Sequence, residues 1–332
     1  MVILTGPTGN ELKLLQHTKF DVDLNETRDF ELRMPANLYT KDIQEKGRLF
    51  IPETEYGGLI GGVETQTATD EIIIKGRSWR GVLSKKVIKP PEGSAYKIVS
   101  GELNKILKAL IDEHGLSGLF AVPQTDTKTT VISFQFDRYT TLLEGIEKLL
   151  KSVEHRIDMK YMQQERGLPG FVNLQAVKIA DLSERIELSQ DSRLDFTFSE
   201  VKNGVNHLIC LGQGELTDRV VVDLYMSKDG LVGTTQHYFG IDEVTEVYED
   251  TSAENIEALI ERGTQRLTEL TAKQTFTMNL ANLSVEADIR DIIGGRDYIT
   301  GMSMAKPIVN KIYTEENGVV KIEYKLEGAE GG

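Results

Sequence analysis

Apolar and polar residues alternate at period two through much of the first ninety positions, which predicts short β-strands. "TRDFELRMP" (27–35) alternates around Phe30 and Leu32 and stops at Pro35. "GRLFIPE" (47–53) reads as a second strand. "YGGLIGGVETQTATDEIIIKG" (56–76) has a hairpin pattern: a glycine-rich strand, a threonine-rich turn, then an apolar run. Gly57, Gly58, Gly61 and Gly62 would weaken a flat strand, so they predict a strongly bent one, as at a barrel corner. A short helical turn over Trp79–Leu83 follows, and "KPPEG" closes the unit.

The period changes after residue 98. Val99, Leu103, Ile106, Leu107, Leu110 and Ile111 recur at helical spacing, with Gly115 placed as a C-cap. "TTVISFQF" (129–136) predicts a strand, "RYTTLLEGIEKLLKSV" (138–153) an amphipathic helix, and "HRIDMKYM" another strand. From about 171 strands return: "FVNLQAVKI", "RIELS", "RLDFTFS", "NHLICLG" and "RVVVDLYM". The clearest helix covers 251–273. Thr251 and Glu254 have capping-box spacing there, and Ile256, Leu259, Ile260, Leu267 and Leu270 make its apolar face. "QTFTMNLAN" and two alternating strands joined by "ENGVV" complete the chain. The predicted fold class is mainly β with an α/β insert, and residues 184–199 are read as returning to finish the first β-unit.

Composition narrows what such a chain does. Its 332 residues suffice for two or three domains with their own cores. A net charge of −14 argues against general nucleic-acid binding and against docking on an anionic membrane. No window approaches the roughly 18 apolar residues that cross a bilayer, and "MVILTGPTGNELKLL" lacks the basic and apolar regions of a signal peptide. The single cysteine, Cys210, excludes an intramolecular disulfide framework.

One stretch departs from this acidic background. Residues 72–91 hold Lys75, Arg77, Arg80, Lys85, Lys86 and Lys89, no acid, and the only tryptophan, Trp79. Taking these six positive charges from the net −14 leaves −20 for the rest of the chain. A nucleic-acid patch would interleave several aromatics with the cations. The favoured reading is a strand running into a helical turn that buries Trp79, Val82 and Leu83. Its cations then face outward, toward solvent or an acidic neighbour.

No catalytic motif emerges. His17, His114, His155, His207 and His237 are scattered, with none of the spacings of a zinc site. His207 and Cys210 are three apart in an apolar strand and so point to opposite faces, which leaves Cys210 as a buried structural residue. Gly212 and Gly214 in "LGQGEL" lack the third glycine and the helix of a dinucleotide loop. Position 217 is Thr217, and a bulge or turn is the better reading. "IIGGRD" (292–297) lacks the lysine and hydroxyl of a phosphate loop. Carboxylate pairs such as Asp288/Asp291 and Glu315/Glu316 are expected by chance among 52 acids, and nothing selects a glycosidase. No residue is assigned a catalytic, cofactor-binding or metal-ligating role, and no cofactor is expected.

The ordered combination of segments does carry a resemblance. Strand 27–35 ending at Pro35, an entry at Lys46–Phe50, the recrossing "GGLIGGVE", an apolar strand ending at Gly76, and "LSKKVIKPP" resemble the N-terminal barrel of bacteriophage tail hub proteins. That family comprises siphophage hubs and the baseplate hub proteins of contractile tails. "GQGELTDRVVVDLY" followed by a helix, and "DIRDIIGGRDYITGMSMAKPIVNKIYTEENGVVKIEYKLEG", match the order of the remaining parts.

The resemblance implies two hub β-barrels per chain plus a small α/β domain. The first barrel would be 1–95 completed by about 176–200, the insert 96–175, and the second barrel 201–328 with helix 252–273. It further implies a non-enzymatic homotrimer whose six barrels form a ring, adapting a sixfold tail tube to a threefold tip around the DNA and tape-measure channel. Its partners would be a tail tube or distal tail protein above, a spike, tip or tail fibre protein below, and a tape measure protein in the channel. No specific nucleic-acid binding and no stable membrane insertion are implied. Such a protein resides in the tail tip or baseplate of a virion or tail-like particle and assembles in the bacterial host cytoplasm. The basic stretch would be a subunit-contact or lumen element. Many relatives continue into a peptidase, lysozyme or receptor-binding part, whereas this chain stops at "KLEGAEGG". The competing readings are a tail-tip cell-wall hydrolase using acids in 96–175, and a host-adhesion module with aromatics clustered in loops.

Overall fold

The computed structural model describes residues 1–164, 168–183, 204–271, 286–296, 299, 301 and 303–327. At 187–188, 196–200, 274–278, 280–281 and 304 it describes the backbone alone. The chain divides into two compact units, one formed by Met1–Asp195 with Met278–Glu327, the other by Phe196–Thr277.

The first unit begins with seven strands: β1 (Val2–Thr5), β2 (Glu11–Leu15), β3 (Lys19–Asp23), β4 (Asp29–Pro35), β5 (Arg48–Phe50), β6 (Gly57–Gln66) and β7 (Glu71–Ser78). The helical turn α1 (Trp79–Leu83) follows directly, capped by Ser78, whose hydroxyl accepts from the Gly81 amide at 3.3 Å. The expected glycine-rich bend is present as a register shift between Ile60 and Gly62 in the β6–β7 pair. Gly58 of β6 and Gly76 of β7 serve close approach instead. A side chain at Gly58 would meet the Arg77 carbonyl, and one at Gly76 would meet the Leu59 carbonyl and the Phe30 ring.

The insert expected from the change of period is present within this unit. It comprises β8 (Ile98–Glu102), α2 (Leu103–Glu113), β9 (Phe120–Ala121), β10 (Thr130–Gln135), α3 (Leu142–Lys151), β11 (His155–Met162) and β12 (Phe171–Lys178). β8 pairs with β10, and β12 lies between β11 and β9. Val99 falls in β8 rather than α2, because the Glu102 carboxylate accepts from the amides of Asn104 and Lys105 and starts the helix there. His114 is the C-cap, and Gly115 follows it at φ 68°. The Thr141 hydroxyl caps α3. One apolar core runs from Phe50, Trp79 and Leu83 through Leu107, Leu142 and Ile146 to Tyr161 and Leu174. The chain continues into the two-residue β13 (Glu187–Leu188); the rest of "RIELS" and the start of "RLDFTFS" lie outside the described residues.

The second unit contains β14 (Phe196–Glu200), β15 (His207–Leu211), β16 (Val221–Met226), β17 (Val232–Gly233), β18 (Thr245–Glu249), helix α4 (Ile256–Leu270) and β19 (Gln274–Met278). A four-stranded sheet of order β17-β16-β15-β18 packs Leu208, Cys210, Leu224 and Met226 against Leu259 and Leu267 of α4. α4 starts later than its capping-box spacing suggests. Asn255, not Thr251, is the N-cap, and its side-chain oxygen accepts from the Ala258 amide at 2.8 Å. Gly263 is the point of closest helix–sheet approach, since a Cβ there would lie 2.5 Å from Cys210 Sγ and 2.8 Å from a Leu224 methyl. Gly263→Leu is therefore expected to lower stability by about 1–3 kcal/mol through overpacking, despite a better helix propensity. Chemical denaturation followed by circular dichroism checks this; unchanged stability would mean the helix does not rest on Cys210.

The last strands return to the first unit: β20 (Leu280–Ala281), β21 (Ile292–Arg296), β22 (Ser303–Glu316) and β23 (Val319–Leu326). Asn317 and Gly318 make the expected tight turn, both at positive φ. The sequence reading grouped 201–328 as one second barrel, yet β22 pairs with β3 across Ile312–Glu316 and Lys19–Asp23. The main sheet therefore has 12 strands, with a path β13-β21-β22-β3-β4-β7-β6-β5-β1-β2 and with β20 and β23 joined through β22. The chain is thus mainly β with an α/β insert. The physical reason for the regrouping is that strand partners are chosen by matching apolar faces, whatever the distance along the chain.

Candidate functional site

The basic stretch separates into two parts with different fates. Arg77, Lys85, Lys86 and Lys89 are exposed. Lys75 is exposed too, and pairs with Glu64 at 2.7 Å and Glu31 at 3.9 Å. Arg80 departs from the expected outward direction: its side chain is 2% exposed. Its Nε donates to Glu55 Oε1 at 2.6 Å, Nη2 to Glu55 Oε2 at 3.3 Å, and Nη1 to Glu147 Oε1 at 3.2 Å. Glu147 belongs to α3, so this guanidinium ties the main sheet to the insert. Burial works against the charge on Arg80, but Glu55 and Glu147 outweigh it and raise its affinity for the proton. Burial pushes the Glu55 carboxyl above the usual carboxylate range, against the pull of Arg80.

Trp79 is fully buried, as expected, and Val82 packs partly buried beside it. The indole lies 5.4 Å from the Tyr161 ring at 19°, and Phe50 stacks on Tyr161 at 3.8 Å. The Tyr161 hydroxyl accepts from buried Arg48 at 3.0 Å. Trp79 Nε1 has no hydrogen-bond partner among the described residues.

A second charged cluster lies beside the first. Asp291 Oδ1 accepts from Arg156 Nε at 2.8 Å and from the Ala180 amide at 2.9 Å, while Oδ2 accepts from the Asp288 amide. Asp288 pairs with Lys311 at 2.7 Å and Arg156 at 3.4 Å. Burial alone would raise the Asp288 carboxyl, but Lys311, Arg156 and Arg80 together lower it. Asp288 and Lys311 border a cleft of about 280 Å³ lined also by Glu53, Glu55, Tyr56, Asp158 and Tyr324. Of its carboxylates, Glu55, Asp158 and Asp288 are held in ion pairs with arginine and lysine, an arrangement that locks elements together. Among the described residues no group of three or more His, Cys, Asp or Glu is placed to hold a metal.

The sequence reading treated Asp288/Asp291 as a chance pair and named none of Glu55, Glu147 and Arg156; only the charge types were visible, not their pairing over 67 and 135 residues. Glu315, of the other pair, accepts from the Tyr313 hydroxyl at 3.0 Å and bonds the Met1 ammonium. Cys210 lies in the core under α4, and burial pushes its thiol up to about 11. His207 bonds Glu243 through Nδ1 at 2.7 Å and Asp223 through Nε2 at 2.9 Å. Gly212 and Gly214 form a turn closed by Gly212 N to Val220 O and Val220 N to Gln213 O, both 2.8 Å; only a three-residue 3-10 turn, Leu216–Asp218, follows, not the helix of a dinucleotide loop. "IIGG" of 292–295 is strand β21. Among the described residues no helix is long and apolar enough to cross a membrane.

No family model and no curated protein sequence matches the chain. Solved structures do. A tail protein from Neisseria meningitidis is 13% identical, with a TM-score of 0.50 over 98% of this chain and 95% of that one. The 43 kDa tail protein of prophage MuSo2 from Shewanella oneidensis is 13% identical, with a TM-score of 0.51 over 98% and 97%. A prophage tail protein from Listeria monocytogenes is 11% identical, with a TM-score of 0.51 over 99% and 95%. The resemblance read from the sequence thus holds at the level of the fold: this chain is built like phage tail proteins.

Proposed function

We propose that the protein is a structural tail hub of a phage or phage-tail-like particle. Three copies form a ring of pseudo-sixfold symmetry that adapts the tail tube to a threefold tip and surrounds the channel for DNA and tape measure. The observation that carries this reading is a shared fold across at least 95% of both chains with tail proteins from three bacteria. The two charge clusters of the first unit agree with it, since Arg80 and Arg156 use them to join the sheet to the insert. The role is non-enzymatic. The protein sits in the tail of the particle, with a tube or distal tail protein above, a spike, tip or fibre protein below, and the tape measure protein inside. An acidic chain around such a channel passes DNA without gripping it.

Native mass spectrometry of the purified protein is expected to give three chain masses, and negative-stain images a ring with a central hole. A monomer that produces a clearing band in a peptidoglycan zymogram would replace this reading with a hydrolase.

A further inference from the structure

Four exposed cations of the first unit lie together without an ion-pair partner among the described residues. Lys85, Lys86 and Lys89 follow α1, and Arg138 lies on the neighbouring segment before α3. The two segments are held together by a β-bridge between Val87 and Thr141. Ile88 N also bonds Thr140 O at 2.9 Å, and Leu142 N bonds Lys86 O at 2.8 Å. Arg138 lies over the exposed Tyr139 ring at 5.5 Å. None of the four makes an ion pair among the described residues. Some other exposed cations here do, among them Lys108 with Asp112, Lys148 with Asp137 and Lys321 with Glu323. Asp137, the acid next to Arg138, is taken up by Lys148, which leaves the four cations without an ion-pair partner of their own among the described residues. A partner surface of opposite sign would relieve their self-repulsion beyond what water and salt already screen.

We infer that this cluster is a docking surface for the acidic outer face of α4 in a second copy of the chain. On that face Glu257 and Glu261 stand one turn apart, both exposed and without an ion pair among the described residues. A contact of a basic surface on one copy with an acidic surface on the next is heterologous, the kind that repeats around a ring. The inference rests on the hub reading for its ring. Nucleic acid is the other polyanion of matching chemistry, but the remaining −20 of the chain disfavours it.

Sedimentation velocity across a concentration series, with native mass spectrometry, tests this on three full-length proteins. They are the wild type, the triple variant Lys85→Glu, Lys86→Glu, Lys89→Glu, and that triple combined with Glu257→Lys and Glu261→Lys. The triple variant is expected to keep the wild-type melting temperature and to self-associate at least about tenfold more weakly. The combined variant is expected to recover most of the loss. Equal association in all three would overturn the docking surface and leave the hub reading standing. Association that is cluster-dependent but not trimeric would support the surface and overturn the ring. A wild type that stays monomeric at every concentration would overturn the docking surface. Loss of binding to a DNA duplex in the triple variant, with assembly intact, would overturn it in favour of nucleic acid.

Discussion

Replacing Arg80 by methionine is expected to destabilise the protein by about 3–5 kcal/mol, far more than any surface cation would. The side chain is 2% exposed and faces two carboxylates, Glu55 and Glu147, themselves 9% and 13% exposed. Removing the guanidinium leaves those charges with little water and no counter-ion. Methionine fills much of the volume, so the loss reports electrostatics rather than a cavity. The companion variant decides the matter. Arg80→Met with Glu55→Leu removes both members of the closer pair, leaving only Glu147, and should recover a large part of the loss, because a buried pair replaced by apolar groups is often nearly neutral. Urea denaturation followed by the single tryptophan, which lies next to Arg80, measures both. If Arg80→Met costs less than about 1 kcal/mol, the guanidinium is solvated in solution and does not join sheet to insert.

The same residue shows where sequence reasoning stops. The reading of a helical turn around Trp79 to Leu83 and of a strand over "HRIDMKYM" agrees with α1 and β11, because both present a regular apolar face within a short window. It also placed Trp79 inside. It turned Arg80 outward, because an arginine beside an exposed lysine run has no local mark of burial; the mark is Glu147, 67 residues away. The first strands were not located one by one for a related reason. β2 is an edge strand whose Leu12 and Leu14 are exposed, so its pattern does not announce a buried face. The start of α4 was misplaced because Thr251 and Glu254 have the spacing of a capping box while Asn255 makes the bond. The pairing of β22 with β3 joins the two ends of the chain and has no local signature at all. A resemblance in the order of segments was enough to give the fold, because order survives when individual residues do not. It could not give the charged joint, which is made of residues that no motif groups.

Trp79→Ala is expected to be the costliest cavity mutation in the first unit, at about 3–5 kcal/mol. The indole is fully buried in the core that continues from Phe50 of the main sheet to α2, α3 and β12 of the insert. It also supports the Tyr161 ring, on which Phe50 stacks in turn. Truncation therefore removes contacts from both sides of the joint at once and frees a tyrosine whose hydroxyl holds buried Arg48. The unpartnered Nε1 sharpens the expectation. Because that N–H makes no hydrogen bond among the described residues, Trp79→Phe loses only part of the volume and no polar contact seen here, so it should cost clearly less than alanine. Thermal unfolding by far-UV circular dichroism ranks the three proteins without needing the tryptophan as reporter. The order wild type, phenylalanine, alanine is the outcome of a ring acting by packing alone. Equal losses for phenylalanine and alanine would instead mean that the indole N–H is bonded in solution, through a bridging water, and that this core is wetter than its apolar lining implies.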